Sequence, residues 1–377
     1  MMADSNVLIL GTADWNQPIA TNQHYIAAAL AEDYFVAFVE SIGLRRPSLR
    51  ARDLRRIARR LGPKRASTEG RPIPAGMVVI SPRVIPLHVR PLRAINKRLL
   101  RTAVEAWLRR SSPRILWCYS PLSYGLERYA DVVVYHCVDL LGEVPGIDAE
   151  MIATAESALA RAGTLAIGSS PGVVEHLQEV GFAEPLFWPN VADTSVFASA
   201  RRGDGARSGV VFAGNLTETK VDFELLERVV ARGEELHLAG PISQGGGNAR
   251  ARVDALVRAG ARYHGLLSLE DLADLYASCR VGLIPYVSNR YTAGVSPLKT
   301  FEYLAAGLSV VSIGVPSVVP EFGCVLVAES RGEFVNLVCL QEAPSQKTVE
   351  LRAGLARENS WARRGIEARE LIRSYMS

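Results

Sequence analysis

The run SPLKTFEYLAAGLSVVS, Ser296 to Ser312, carries the chain's most informative pairing of charge with apolar pattern. Phe301, Leu304, Ala305 and Leu308 fall at helical spacing and predict a face turned to a core. Ser296 as N-cap and Pro297 at the first helical position predict where that helix starts. A helix start offers free N–H groups and a partial positive charge, which suit a phosphate. Lys299 has the wrong sign for the first turn of a helix and makes sense beside a bound anion. Glu302 follows one turn later. A carboxylate can accept hydrogen bonds from two vicinal hydroxyls, as in ribose recognition. The plainer alternative is an i,i+3 pair between Lys299 and Glu302 on a solvated helix face.

Such residues need a scaffold, and the rest of the sequence supplies one. Short β-branched runs alternate with helical patterns, which predicts parallel sheets wrapped by helices. The first half offers NVLIL, YFVAFVE, MVVISP, RILWCYS, DVVVYHCVD, TLAIGSS and PLFWPN. The second offers GVVFAGN, LHLAG, ARYHG, VGLIPY, LSVVSIG and CVLVAE. Near-continuous apolar strands of this kind are covered on both faces. A length of 377 residues predicts two domains. The polar, glycine-containing segment 198–209 reads as the linker, placing an N-terminal domain at 1–197 and a C-terminal one at 210–358. The last segment, 359–377, reads as a helix able to cross back to the N-terminal domain. Two doubly wound domains facing each other across a cleft would hold ligands beyond the carboxyl ends of their strands.

Composition narrows the class. Apolar residues make up 48% of the chain, enough for sizeable cores. Five scattered cysteines without a CxxC pair predict reduced thiols. No run of 18 apolar residues exists, and Asp4 stands where a signal peptide needs positive charge, so a cytoplasmic protein is expected. Between Arg45 and Arg110 there are 19 Lys/Arg against 3 acids, while the remainder holds 24 against 36. A region this basic suits peripheral contact with the anionic inner face of a membrane, or is a solvated arginine-rich face. Trp107 is its only aromatic residue, which speaks against base stacking and so against nucleic acid. GxGxxG, P-loop and His-pair metal motifs are missing, as is DxD. No metal and no cofactor are expected.

SPLKTFEYLAAGLSVVS resembles the donor-site segment of GT-B glycosyltransferases, and is most similar to the family 4 retaining enzymes in a bacterial teichuronic-acid or polysaccharide branch. The resemblance implies that Glu302 binds the nucleotide ribose and that Ser296, Pro297, Leu298 and Lys299 bind the diphosphate. VVFAGNLTETKVDFELL resembles the opening strand, loop and helix of the family's donor domain. Gly214 and Lys220 keep the spacing of its phosphate-contacting pattern, while Asn215 stands where Arg is usual. LHLAGP, with Gly240 and Pro241, and ARYHGLLSLEDLADLYASCRVGLIPY, with Tyr263, His264 and Leu266, resemble the segments beside the nucleotide and its base. The first of the family's two glutamates is replaced by Gly294. Asn289 and Thr292 in the loop SNRYTAGVSPLK are then candidates for the donor sugar, against the bland reading of a polar loop.

The N-terminal half resembles the family's acceptor side. Trp15, Asn16, Gln17 and His24 follow its opening strand, and Tyr119 and Ser120 end a later one. Tyr135, Cys137 and Asp139 fit the branch's Tyr-x-Cys-x-Asp run. Strand alternation puts His136 and Asp139 on opposite faces, so Asp139, in the loop, is the better candidate base or acceptor contact and His136 the better structural histidine. Asp139, Lys299 and Lys220 are the catalytic candidates. The resemblance implies metal-free transfer of a sugar, with retention, from a nucleotide diphosphate-sugar to a hydroxyl acceptor, either a polysaccharide or lipid-linked intermediate or a small natural product. The rivals are an epimerase or hydrolase on the same fold, and a basic membrane- or nucleic-acid-binding module.

Overall fold

A computed structural model describes residues 6–17, 20–45, 70–85, 87–110, 113–144, 146–200, 207–242, 249–319 and 323–375. The chain divides into two compact units: Met1–Trp188 with Gly365–Ser377, and Pro189–Arg364.

The first unit is built on β1 (Asn6–Leu10), β2 (Phe35–Val39), β3 (Met77–Ile80), β4 (Arg114–Cys118), β5 (Val132–Cys137), β6 (Leu165–Gly168) and β7 (Leu186–Phe187). They form one parallel sheet in the order β3-β2-β1-β4-β5-β6-β7. All five residues of β1 are buried. Alternation sends Leu8 and Leu10 into one apolar layer, and Val7 and Ile9 into the other. Helices cover both faces, which explains why the strands read as apolar runs with no polar side.

The second unit repeats the design with β8 (Val210–Ala213), β9 (Leu236–Ala239), β10 (Arg262–Tyr263), β11 (Val281–Pro285), β12 (Ser309–Ile313) and β13 (Val325–Val327). The order β10-β9-β8-β11-β12-β13 is again all parallel. In both sheets the strand order reverses at the first strand, between β1 and β4 and between β8 and β11. That reversal is where open α/β sheets leave a crevice for ligands.

The architecture is thus two doubly wound, Rossmann-like domains, and each of the thirteen strand segments read from sequence carries one of these strands. Two boundaries differ. The chain changes unit at Trp188, earlier than residue 197. The cause is the helix Thr194–Ser199, whose Phe197 stacks on Tyr276 at 5.2 Å and belongs to the second core. Residues 201–206 of the expected linker lie outside the described residues. The last helix, Trp361–Ser374, joins the first unit from Gly365 onward. There Arg369 donates to Ala29 O at 3.0 Å and Arg373 to Asp33 at 2.6 Å. Among the described residues no helix is long and apolar enough to cross a membrane.

Candidate functional site

Helix Lys299–Ala305 begins two residues later than the spacing of Ser296 and Pro297 predicts. Its N-cap is Leu298, in helical conformation, and no side chain caps it. Ser296 is diverted: its hydroxyl accepts from Asn190 N at 3.1 Å, and its carbonyl accepts from Asn190 Nδ2 at 2.9 Å. Ser296 and Pro297 are buried, while Leu298 and Lys299 are half-buried. Ser296 is therefore an anchor for the loop and not the helix cap.

Glu302 is where the charge pattern becomes informative. A surface i,i+3 pair would be solvated, yet Glu302 is 7% exposed. Its Oε2 accepts from the Tyr276 hydroxyl at 3.2 Å and lies 3.8 Å from Lys299 Nζ. Both contacts address the same oxygen. Oε1 takes neither, so the carboxylate keeps one oxygen for further hydrogen bonds. A buried carboxylate with a single neutral donor and a loose ion pair is costly unless something else completes its bonding. Burial pushes the Tyr276 hydroxyl well above its usual range, so it remains a donor to Glu302.

The lysine reaches this position because of a glycine. A Cβ on Gly214 would lie 2.8 Å from Lys299 Cε, and Gly214 has φ +156°, in the region that favours glycine. Gly214 follows β8 directly, and its N–H donates to Ala239 O at 2.9 Å. Gly240, at the end of β9, packs against it: a Cβ there would fall 2.1 Å from Gly214 O, and φ is +122°. Gly240 N donates to Gly265 O at 2.7 Å, and the Tyr263 hydroxyl donates to Gly240 O at 2.8 Å. A row of close backbone approaches thus runs from Lys299 across Gly214 and Gly240 to Gly265, at the carboxyl ends of β8, β9 and β10.

Tyr286, just past β11, completes the neighbourhood and escaped the sequence reading. A Cβ on Gly314 would meet Tyr286 O at 2.2 Å, so this glycine lets the Tyr286 backbone lie close. Lys220 Nζ sits 4.8 Å from the centroid of the Tyr286 ring, a cation–π distance. Burial lifts the Tyr286 hydroxyl to about 12, with Lys299 drawing it down and Glu302 pushing it up. Lys220, Tyr286, Lys299 and Glu302 are therefore within electrostatic reach of one another at the β8/β11 reversal. Only the lysines and the glutamate had a sequence signal. A lone Tyr after an apolar strand has none.

The other donor-side candidates divide. Asn289 caps the helix Arg290–Ala293, accepting from Thr292 N at 2.9 Å, and its amide donates to Thr219 O at 2.9 Å. Thr292 is fully buried and donates to Val287 O at 2.6 Å, so it holds the loop and is withdrawn from a sugar. Asn215 and Pro241 are half-buried beside the glycine row. His264 is exposed and meets His237 at 3.0 Å, ring nitrogen to ring nitrogen. Leu266 is exposed.

In the first unit most candidates serve the scaffold. Trp15 is buried against Phe38, and its indole N–H donates to Arg71 O at 3.3 Å. His24, also buried, meets Thr21 and the Asp14 carbonyl, and burial lowers its pKa, which keeps it neutral. Tyr119 donates to Asn22 Oδ1 at 2.9 Å, and Ser120 accepts from Leu122 N at 3.3 Å. His136 is fully buried and stacked on Tyr119 at 5.0 Å. Asn16 is exposed and accepts from Arg71 N, while Gln17 is half-buried. Asp139 lies in the bend after β5, half-buried, where the loop reading placed it. Among the described residues no cluster of three or more His, Cys, Asp or Glu could hold a metal ion.

Residues 207–339 match the family model of glycosyl transferases group 1. The match spans the whole glycine–lysine–glutamate neighbourhood and stops short of the first unit. Similar solved structures extend over the full chain. Sucrose-phosphate synthase from Thermosynechococcus elongatus is 16% identical with a TM-score of 0.67, covering 99% of each chain. HepE from Anabaena, solved in complex with UDP, is 14% identical at 0.63, covering 98% of this chain and 99% of its own. The catalytic domain of starch synthase IV from Arabidopsis thaliana, bound to ADP and acarbose, is 11% identical at 0.59, covering 99% of each. No curated protein matches. At these identities the structures show the shared fold, which is GT-B. Together with the family match they support a glycosyltransferase.

Proposed function

We propose that the chain transfers a sugar from a nucleoside diphosphate-sugar to a hydroxyl acceptor, with retention and without a metal. The observation that carries the donor assignment is Glu302. It is a nearly buried carboxylate with one oxygen uncommitted, one helical turn beyond Lys299 and beside glycines against which Lys299 and the neighbouring backbone pack closely. Glu302 Oε1 would accept from the ribose hydroxyls. Lys299, laid across Gly214, would face the diphosphate, with Lys220 as a second cation.

Departure of the nucleoside diphosphate leaves negative charge on the β-phosphate. Fixed cations aimed at that charge lower the barrier because they need no reorganisation as it develops. Lys299 is restrained by Gly214 beneath it and Glu302 beside it, so it is pre-positioned. Lys220 is held over the Tyr286 ring. Tyr263, His264 and Leu266 would border the base, and recognition through backbone groups there would leave little side-chain code. The similar solved structures hold UDP in one case and ADP in another, in keeping with a fold that accepts either base. On the first unit, Asp139 is the carboxylate we assign to the acceptor.

The test is turnover of a panel of UDP-, ADP- and GDP-sugars, with and without added hydroxyl acceptors, following free nucleoside diphosphate and the anomeric configuration of the product. Release that requires an acceptor, gives a retained linkage and survives EDTA is the expected result. Conversion or hydrolysis of the donor at the same rate without acceptor would instead establish an epimerase or hydrolase.

A further inference from the structure

From Arg71 to Val104 the chain contains seven Lys/Arg and no acid. Six of the 14 large apolar side chains exposed among the described residues also fall here: Ile73, Val78, Leu87, Val89, Ile95 and Leu99. The two features meet on helix Arg90–Ala103. Its inward face is set by Leu92, Asn96 and Leu100, spaced i, i+4, i+8, with Leu100 only 1% exposed. Ile95 and Leu99, also i and i+4, lie outward at 48% and 36% exposure, with Arg98 on the outer flank.

The platform under this face is rigid. Asn96 is fully buried; its side chain accepts from Ile85 N at 2.9 Å and donates to Ile85 O at 2.8 Å and Leu87 O at 3.4 Å. That clamp fixes the approach to the helix, on which Leu87 (40% exposed) and Val89 (51%) also stand in water. His88 is tied down between Gly43 O and the Tyr124 hydroxyl. Arg101 lies over the Tyr129 ring at 5.2 Å, so part of the positive charge is held against the scaffold while Arg98 stays outward.

Leaving apolar side chains in water beside a dense, acid-free cluster of cations has no benefit for folding. The same combination matches an interface that is apolar inside and anionic at its surface. We propose that this face docks on an anionic lipid bilayer. Ile95 and Leu99, with Leu87 and Val89, enter the acyl boundary, and Arg98 and its neighbours meet the headgroups. The expected basic surface began at Arg45, but residues 46–69 lie outside the described residues, and the proposal rests on 71–104 alone. It is independent of the transferase reading, because no nucleotide enters its test.

The test is vesicle flotation of the full chain with phosphatidylglycerol/phosphatidylcholine vesicles and with phosphatidylcholine alone, each at low and high salt. A fluorescent DNA duplex is titrated in parallel. Wild type should float with the anionic vesicles. Ile95→Ser with Leu99→Ser should partition about tenfold more weakly while melting as wild type does. Arg98→Gln should weaken binding by a smaller factor and flatten its salt dependence. Flotation of the double apolar variant equal to wild type would overturn the proposal, as would wild type failing to float. Binding to DNA as strong as to vesicles, unaffected by the apolar changes, would also overturn it and mark a polyanion site instead. If the double variant melts early, Ile95→Asn alone is used with the same readout.

Discussion

The two sheets share a strand order and differ in what fills the reversal of that order. In the second unit the strand ends carry Gly214, Gly240 and Gly314, and these glycines let Lys299 and the Tyr286 backbone come close. Charge gathers there: Lys220, Lys299 and Glu302 lie within reach of one buried tyrosine. In the first unit the corresponding strand ends are plugged. Trp15, Tyr119 and His136 occupy them as buried, hydrogen-bonded or stacked groups. One topology therefore yields a charged, open-bonded site on one sheet and a packed support on the other. The family match falls on the first of these alone.

The contrast can be broken most severely at Gly240. Gly240→Ala would set a Cβ 2.1 Å from Gly214 O at a positive φ, and the backbone must move. We expect a loss of about 2–4 kcal/mol in stability, read by denaturant unfolding, together with loss of nucleotide binding. Gly11→Ala in the first unit meets Gln23 Oε1 at 2.7 Å, with the Phe38 ring and Val39 O at 3.0 Å; no contact is as close as the one at Gly240 and φ is not in the positive region, so it should cost less. Equal losses would erase the distinction between the two sheets.

Lys299→Ala should lower kcat by roughly 100-fold while nucleoside diphosphate affinity falls less, since its charge is needed most as the leaving group departs. Tyr119→Phe, which removes the bond to Asn22, should leave nucleotide affinity unchanged and reduce stability by about 1 kcal/mol. A large effect of Tyr119→Phe on nucleotide binding would contradict the scaffold role.

The smallest effect concerns pH. His176 donates to the buried Glu156 at 2.9 Å, and Glu156 also accepts from Tyr135 at 2.8 Å. The hydrogen bond to Glu156 is the main reason the His176 pKa is raised above 6.5, against the opposing pull of burial. A raised pKa in the folded state gives stability that is full below the unfolded value and fades as pH climbs through the folded one. The melting-temperature gap between wild type and His176→Gln should therefore be widest near about pH 5.5 and shrink by about 1–2 °C by about pH 8.5. A gap that widens with pH would reverse the assignment.

The strands were legible because parallel sheets buried on both faces impose continuous apolar runs, as in NVLIL and VGLIP. Glu302 and Lys299 were legible because charge inside an apolar helix needs a reason. The start of that helix was misread because Ser-Pro has good capping chemistry locally, while Asn190, more than 100 residues away in sequence, claims the Ser296 hydroxyl. The family resemblance names Thr292 and Trp15 as ligand contacts, and what a local motif cannot show is that they bond to Val287 and Arg71. Tyr286 and Gly314 could not be seen at all, because their meaning lies in a backbone approach between separate strands.

The central claim is that Glu302 uses its uncommitted oxygen to hold a nucleotide sugar's ribose. Calorimetric titration of UDP and ADP into wild type and Glu302→Ala measures it directly. At least one nucleotide should bind wild type and bind the variant about 100-fold more weakly, with the melting temperature of the free protein little changed. Equal affinity in the two proteins would contradict the account.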